Sequence, residues 1–138
     1  MNITRYLLDT NICIYIAKKQ PLAVLERFNQ LQVGEVAISL ITLGELYLGI
    51  EKSQQADKAR QILKPLLQLI LALPLPIETA VHYARIRAAL EKQGRPIGAN
   101  DLWIAAHALT ERYILVTNNV KEFARIPELY LENWLDQA

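Results

Sequence analysis

Apolar residues fall in short blocks separated by polar punctuation, and the blocks switch between strand and helix periods. Ile3 to Leu8 is an apolar run with β-branched and aromatic content that ends in Asp9-Thr10-Asn11, as a strand does on passing into a turn or helix start. Val36 to Ile38 repeats the pattern more weakly, and Thr42-Leu43-Gly44-Glu45 then opens a helix running to about Ile50. Tyr113 to Thr117 is the clearest strand, and it too ends in polar residues, Asn118-Asn119. Helical stretches occupy Leu22 to Leu31, Ala56 to about Leu71, Glu78 to Gln93 and Asp101 to Arg112. In the last of these, Leu102, Ala105, Ala106 and Leu109 recur at i, i+3, i+4 and i+7, which sets one apolar stripe against a sheet. Gly94 and Pro96 stop the helix before it. This alternation predicts an α/β fold, a parallel sheet covered by helices on both faces with right-handed crossovers. Sites in such sheets form beyond the carboxyl ends of the strands, where Asp9 and Asn119 fall.

Composition narrows the picture further. The 138 residues, 52% hydrophobic and 21% charged, suit a folded chain that forms one domain over residues 1–138, with no linker and no internal repeat. Cys13 stands alone between Ile12 and Ile14, so a disulfide framework is excluded and a buried, inert thiol is expected. No signal peptide is expected at the start. The most apolar run, Leu66 to Ile77, holds Pro74 and Pro76 and is shorter than the roughly 20 residues a membrane span needs. The cytoplasm is the expected location. A net charge of +1 means that a nucleic-acid partner must be drawn by a local basic cluster. Lys18, Lys19, Arg87, Arg95, Lys121 and Arg125 lie near the acidic junctions and are candidates.

Those acidic junctions carry the candidate chemistry. Taken singly, each has a structural explanation: Asp9 and Asp101 as helix N-caps, Thr42 with Glu45 as a capping box, and Asn119 with Glu122 at the same spacing. Capping does not explain why the carboxylates at 9, 45 and 101 all belong to one edge of the inferred sheet. Like charges brought within about 4 to 6 Å raise one another's pKa and oppose folding unless a cation sits among them. Oxygen-only ligands favour Mg²⁺ or Mn²⁺, and such a site suits phosphodiester hydrolysis. His82 and His107 occupy interior helical positions and are expected to be satisfied structural residues.

Four blocks together resemble the PIN-domain ribonuclease toxins of the VapC type. They are Leu7-Leu8-Asp9-Thr10-Asn11, Thr42-Leu43-Gly44-Glu45-Leu46, the run from Gly98 to Ala108 containing Asn100-Asp101-Leu102-Trp103, and Val116-Thr117-Asn118-Asn119-Val120-Lys121-Glu122-Phe123. The resemblance extends to Leu131-Glu132-Asn133-Trp134. It implies a three-layer, PIN-like sandwich with a five-stranded parallel sheet, Mg²⁺- or Mn²⁺-dependent endoribonuclease activity with tRNA the leading substrate, and neutralisation by a cognate antitoxin. By position, Asp9 and Asp101 would be the principal metal ligands, Glu45 would complete the acidic pocket, and Asn119 would stand where the family often has a fourth acid, with Glu122 a possible source of that charge. Leu46, Leu48, Ile50, Leu66, Leu67, Leu69, Ile70 and Leu71 exceed what one face of two short helices needs. Most are expected in the core, and the surplus is expected to form a groove for a partner's helix or a surface for self-association, so that a homodimer is also expected. Two other readings stay open: a catalytically silent PIN-like binding module, and an Asp-dependent phosphotransfer domain.

Overall fold

Five short strands pair in parallel, so their carboxyl ends line one edge of a single sheet. In the computed structural model, which describes residues 5–135, β1 (Tyr6–Leu8) lies at the centre between β2 (Val36–Ser39) and β4 (Ile114–Val116). The edges are β3 (Leu71–Leu73) and β5 (Leu131–Glu132), giving the order β3-β2-β1-β4-β5. Tyr6 is in register with both Val36 and Ile114, Leu8 with Val116, Ala37 with Leu71 and Val116 with Glu132. Seven helices accompany the strands among the described residues: α1 (Thr10–Lys18), α2 (Leu22–Asn29), α3 (Leu40–Lys52), α4 (Ala56–Leu69), α5 (Thr79–Lys92), α6 (Ala99–Glu111) and α7 (Val120–Phe123). The expected α/β class with a covered parallel sheet is what forms.

Because side chains alternate across a strand, the sheet feeds two cores. Tyr6, Leu8, Val36, Ile38 and Val116 face α1 and α4, whereas Leu7, Ala37 and Leu115 face α5, α6 and α7. Trp134 closes the first core at 1% exposure. Its indole N–H donates to Glu132 at 3.0 Å, and the Arg27 guanidinium lies 5.3 Å from the Tyr6 ring and 5.6 Å from the Trp134 ring.

Several boundaries differ from the pattern-based expectation, each for a local reason. Ile3 and Thr4 of the expected first strand lie outside the described residues. Helix α3 starts two residues before Thr42, because the Ser39 hydroxyl at the end of β2 accepts from the Ile41 amide at 3.2 Å and caps it. Helix α4 ends at Leu69, and the apolar run continues as β3, a switch that periodicity does not register. Asp101 is no N-cap: α6 starts at Ala99 after Gly98, and Asp101 sits in the first turn. Residues 104–108 are buried all round, more than the expected stripe, because α5 packs against α6. Cys13 is fully buried, and burial, followed by the charge of Asp9, pushes its thiol up, as an inert cysteine requires.

His107 departs from expectation. It is completely buried in α6, and neither ring nitrogen has a hydrogen-bond partner among the described residues, so the expected satisfied core histidine is not what they show. Burial lowers its pKa below the ordinary 6.5. The unfolded chain therefore takes up a proton as the pH falls through about 6.5 while the folded chain does not, and stability present above that pH is lost below it. His107→Leu removes both unpaired nitrogens at similar volume. It is expected to stabilise the protein by about 1 kcal/mol at pH 7 and by more at pH 5.5, read from urea midpoints. An equal gain at both pH values would contradict the neutral, proton-excluding histidine.

Candidate active site

Strand β1 delivers Asp9 to the carboxyl edge, where it does two jobs. Its backbone N–H donates to the Val116 carbonyl at 3.0 Å, continuing the β1–β4 ladder. Its carboxylate accepts from the Ile12 amide at 3.0 Å and caps α1. At 6% exposure Asp9 is nearly enclosed. Burial raises its pKa, the charge of Glu45 adds to the rise, and hydrogen bonds from Thr117, Ile12 and Asn11 oppose it. Capping and membership of the acidic group thus coexist in one side chain.

Glu45 does not form the capping box with Thr42. Thr42 is buried inside α3, its hydroxyl without a partner. The Glu45 carboxylate reaches instead to its neighbours: the Thr10 hydroxyl donates to Oε1 at 2.5 Å and the Asn100 amide to Oε2 at 3.3 Å. Asp101, one residue beyond Asn100, is half-buried. Burial first, then the charges of Glu45, Asp9 and Glu122, raise its carboxyl to about 6. Asn119 precedes α7 without capping it by its side chain. Its amide N–H donates to the Thr117 hydroxyl at 2.9 Å, and its side-chain Nδ2 donates to Glu122. Asp9, Glu45, Asp101 and Glu122 therefore share one electrostatic field, with Asn119 attached to it through Glu122.

No lysine, arginine or histidine forms an ion pair with these four acids among the described residues. Equally, no three His, Cys, Asp or Glu side chains among those residues stand close enough to enclose an ion. The acids form a negative pocket and not a preformed cage. That donor set fits a hard divalent cation, which binds through one or two carboxylates, keeps several waters and leaves room for a phosphate oxygen. It does not fit a closed nitrogen- or sulfur-ligated site.

The basic candidates divide. Arg87 pairs with Glu91 on its own helix at 2.9 Å, and Arg125 donates to the Pro96 carbonyl at 3.1 Å, bracing the loop before α6. Lys18, Lys19, Arg95 and Lys121 make no ion pair among the described residues. His82 contacts Arg85 through Nδ1 at 3.2 Å, and neither histidine belongs to the acidic pocket. A groove of about 690 Å³ runs between α1, α3 and α4, walled by Ile14, Ala17, Leu46, Ile50 and Leu63, with Glu45 in its lining. Thr10, Asn100 and Thr117 bind the acids and escaped the sequence reading. Their only signal was adjacency to Asp9, to Asp101 and to Asn118-Asn119.

The PIN-domain family matches the chain over residues 6–129. The chain belongs to the PIN-domain family. Within it, the VapC ribonucleases are near in sequence. Ribonuclease VapC2 of Haemophilus influenzae is 45% identical, covering 95% of this chain and 98% of its own length. The tRNA(fMet)-specific endonuclease VapC of Shigella flexneri is 43% identical, covering 94% of this chain and 98% of its own length. The crystal structure of VapBC2 from Rickettsia felis, bound to a DNA fragment from their promoter, superposes with a TM-score of 0.88 at 40% identity, covering 95% of this chain and 99% of the other. The fold of this PIN domain and its VapC-type toxin endoribonuclease class follow.

The raised carboxyls make the ion-free protein sensitive to pH. Folded Asp101 keeps its proton to about pH 6, whereas the unfolded side chain loses it near 3.8, so stability falls as the pH rises between these values. In EDTA, Asp101→Asn is expected to raise the melting temperature at pH 7.5, with the gain shrinking towards pH 4. A variant no more stable than the parent at pH 7.5 would show that the repulsion is absent.

Proposed function

We propose that Asp9, Glu45, Asp101 and Asn119, with Glu122, form the active site of a Mg²⁺- or Mn²⁺-dependent endoribonuclease that cleaves RNA. The observation that carries this reading is a cluster of carboxylates from four separate segments that no basic side chain among the described residues pairs with. Asp9 and Asp101 would hold the ion, and when bound such an ion supplies an activated water and stabilises charge on the leaving oxygen of a phosphodiester. The chain's own residues do the rest. Asp9 is held by the α1 amides, Glu45 by Thr10 and Asn100, and Glu122 by Asn119. Lys121 and Arg95 flank the pocket in sequence and would draw the RNA backbone towards an otherwise repulsive site. The tRNA specificity in the name of the Shigella relative favours tRNA as substrate. Residues 1–138 are read as one such domain, working in the cytoplasm. No described helix is long and apolar enough to cross a membrane.

The strand order argues against a receiver-type phosphotransfer domain, which uses 2-1-3-4-5 where this sheet runs 3-2-1-4-5, and Asp9-Thr10-Asn11 lacks the second aspartate of a dehalogenase-type Asp-x-Asp. A silent binding module would keep the same fold without turnover, and activity separates it from a nuclease. Purified protein is expected to cleave RNA only with added Mg²⁺ or Mn²⁺. Asp9→Asn and Asp101→Asn, which remove charge and keep shape, should each fall to background with unchanged circular dichroism. Near-native turnover of either variant at saturating metal would remove that residue from the site.

Two partners complete the proposal. The groove lined by Glu45 would receive a helix or extended segment of a cognate antitoxin, a reading supported by the complex formed by the Rickettsia relative. A second copy would cover the unpaired edge β3 and its surroundings, where Leu48, Leu71, Ile77 and Val81 are between 56% and 89% exposed. Light scattering should report a dimer, and Leu71→Lys with Ile77→Lys should give a monomer of unchanged melting temperature that still binds the small protein encoded beside it. A strict monomer in the parent would sink the dimer, and failure to bind that small protein would sink the antitoxin.

A further inference from the structure

Glu45 is held at both carboxylate oxygens by neutral donors, and the two donors are chain neighbours of the two proposed metal ligands. Thr10, which follows Asp9, donates to Oε1 at 2.5 Å, and Asn100, which precedes Asp101, donates to Oε2 at 3.3 Å. A glutamate on α3 would otherwise retain several side-chain torsions, and one contact alone leaves the carboxylate free to swing about it. The second contact, from a different helix, fixes its plane.

The chemistry of the second donor matters. An amide N–H orients a carboxylate without cancelling its charge, whereas a lysine or arginine in that place would neutralise it. The bond is also long and exposed, so it adds little to folding, and its worth lies in where it keeps Glu45. Held from both sides, Glu45 would have one lone pair left on each oxygen and would meet the ion through water. That agrees with the absence of a three-acid cage among the described residues.

The geometry points to Asn100 as a positioning residue that holds Glu45 in the outer coordination layer of the metal site, a role that rests on the metal-site reading given above. Calorimetric titration of the full chain with Mn²⁺ alone, without RNA, tests it. Asn100→Leu is expected to weaken Mn²⁺ binding about tenfold, and Asn100→Gln to restore most of the loss. In the Glu45→Gln background, Asn100→Leu should change nothing further, because the group through which it acts is gone. Melting in EDTA should be the same for Asn100→Leu and the parent, which separates positioning from a folding defect. With RNA, Asn100→Leu should lower kcat and leave KM nearly unchanged. Unchanged or tighter Mn²⁺ binding by Asn100→Leu, or an equal loss in the Glu45→Gln background, would overturn the proposal. If the parent and Asp9→Asn bind Mn²⁺ equally, the metal-site reading itself fails, and the assignment of Asn100 fails with it.

Discussion

Parallel pairing gathers strand ends at one edge, and in this chain that edge gathers negative charge. Two carboxylates about 5 Å apart at an effective dielectric of about 20 repel by about 3 kcal/mol. Helix amides soften the cost: Asp9 caps α1, and Asp101 lies in the first turn of α6. A helix terminus contributes only about 0.3–1 kcal/mol per charge, however, so repulsion is not cancelled. Burial first, and then the charges of Glu45, Asp9 and Glu122, raise the Asp101 carboxyl to about 6, so repulsion accounts for part of that rise. Such a cluster is costly by itself, and the proposed cation would offset that cost.

Neutral hydrogen-bond donors shape the pocket around those charges. Thr10 and Asn100 hold Glu45, the Asn119 amide holds Glu122, and Thr117 supports both Asp9 and the Asn119 backbone. Amides and hydroxyls fix direction and leave the charge intact, which a salt bridge would not do. This arrangement also gives Asn119 a physical role. As a donor to Glu122 it keeps that carboxylate in the field of Asp101, whereas an aspartate there would meet Glu122 as a like charge.

The rest of the molecule keeps this edge in place. Two cores grip the sheet from opposite faces, and α6, which feeds the second, also carries the fully buried His107, without a partner among the described residues. Apolar surface left over on α3, β3 and the start of α5, together with the groove beside Glu45, lies where the proposed partners would add their own packing.

The alternation of short apolar runs with helical periods determined the α/β class, and polar punctuation after each run placed Asp9 and Asn119 at strand ends. Local chemistry sufficed there, because strand and turn signals act over a few residues. The junction pattern also set Glu45 and Asp101 at that edge, and the resemblance in four blocks gave them their expected roles. Periodicity did not find α1, β3 or β5, since Ile12 to Ala17 is apolar without a polar face, the run Leu66 to Ile77 is apolar through both a helix and a strand, and β5 is only two residues long. The capping box at Thr42 looked sound in sequence and did not form, because Ser39 caps first and Glu45 finds donors 35 and 55 residues away. Which acids share a field, which amides hold them, and that His107 goes without a partner were decided only by the tertiary structure, for these contacts join segments that only the paired strands and packed helices bring together.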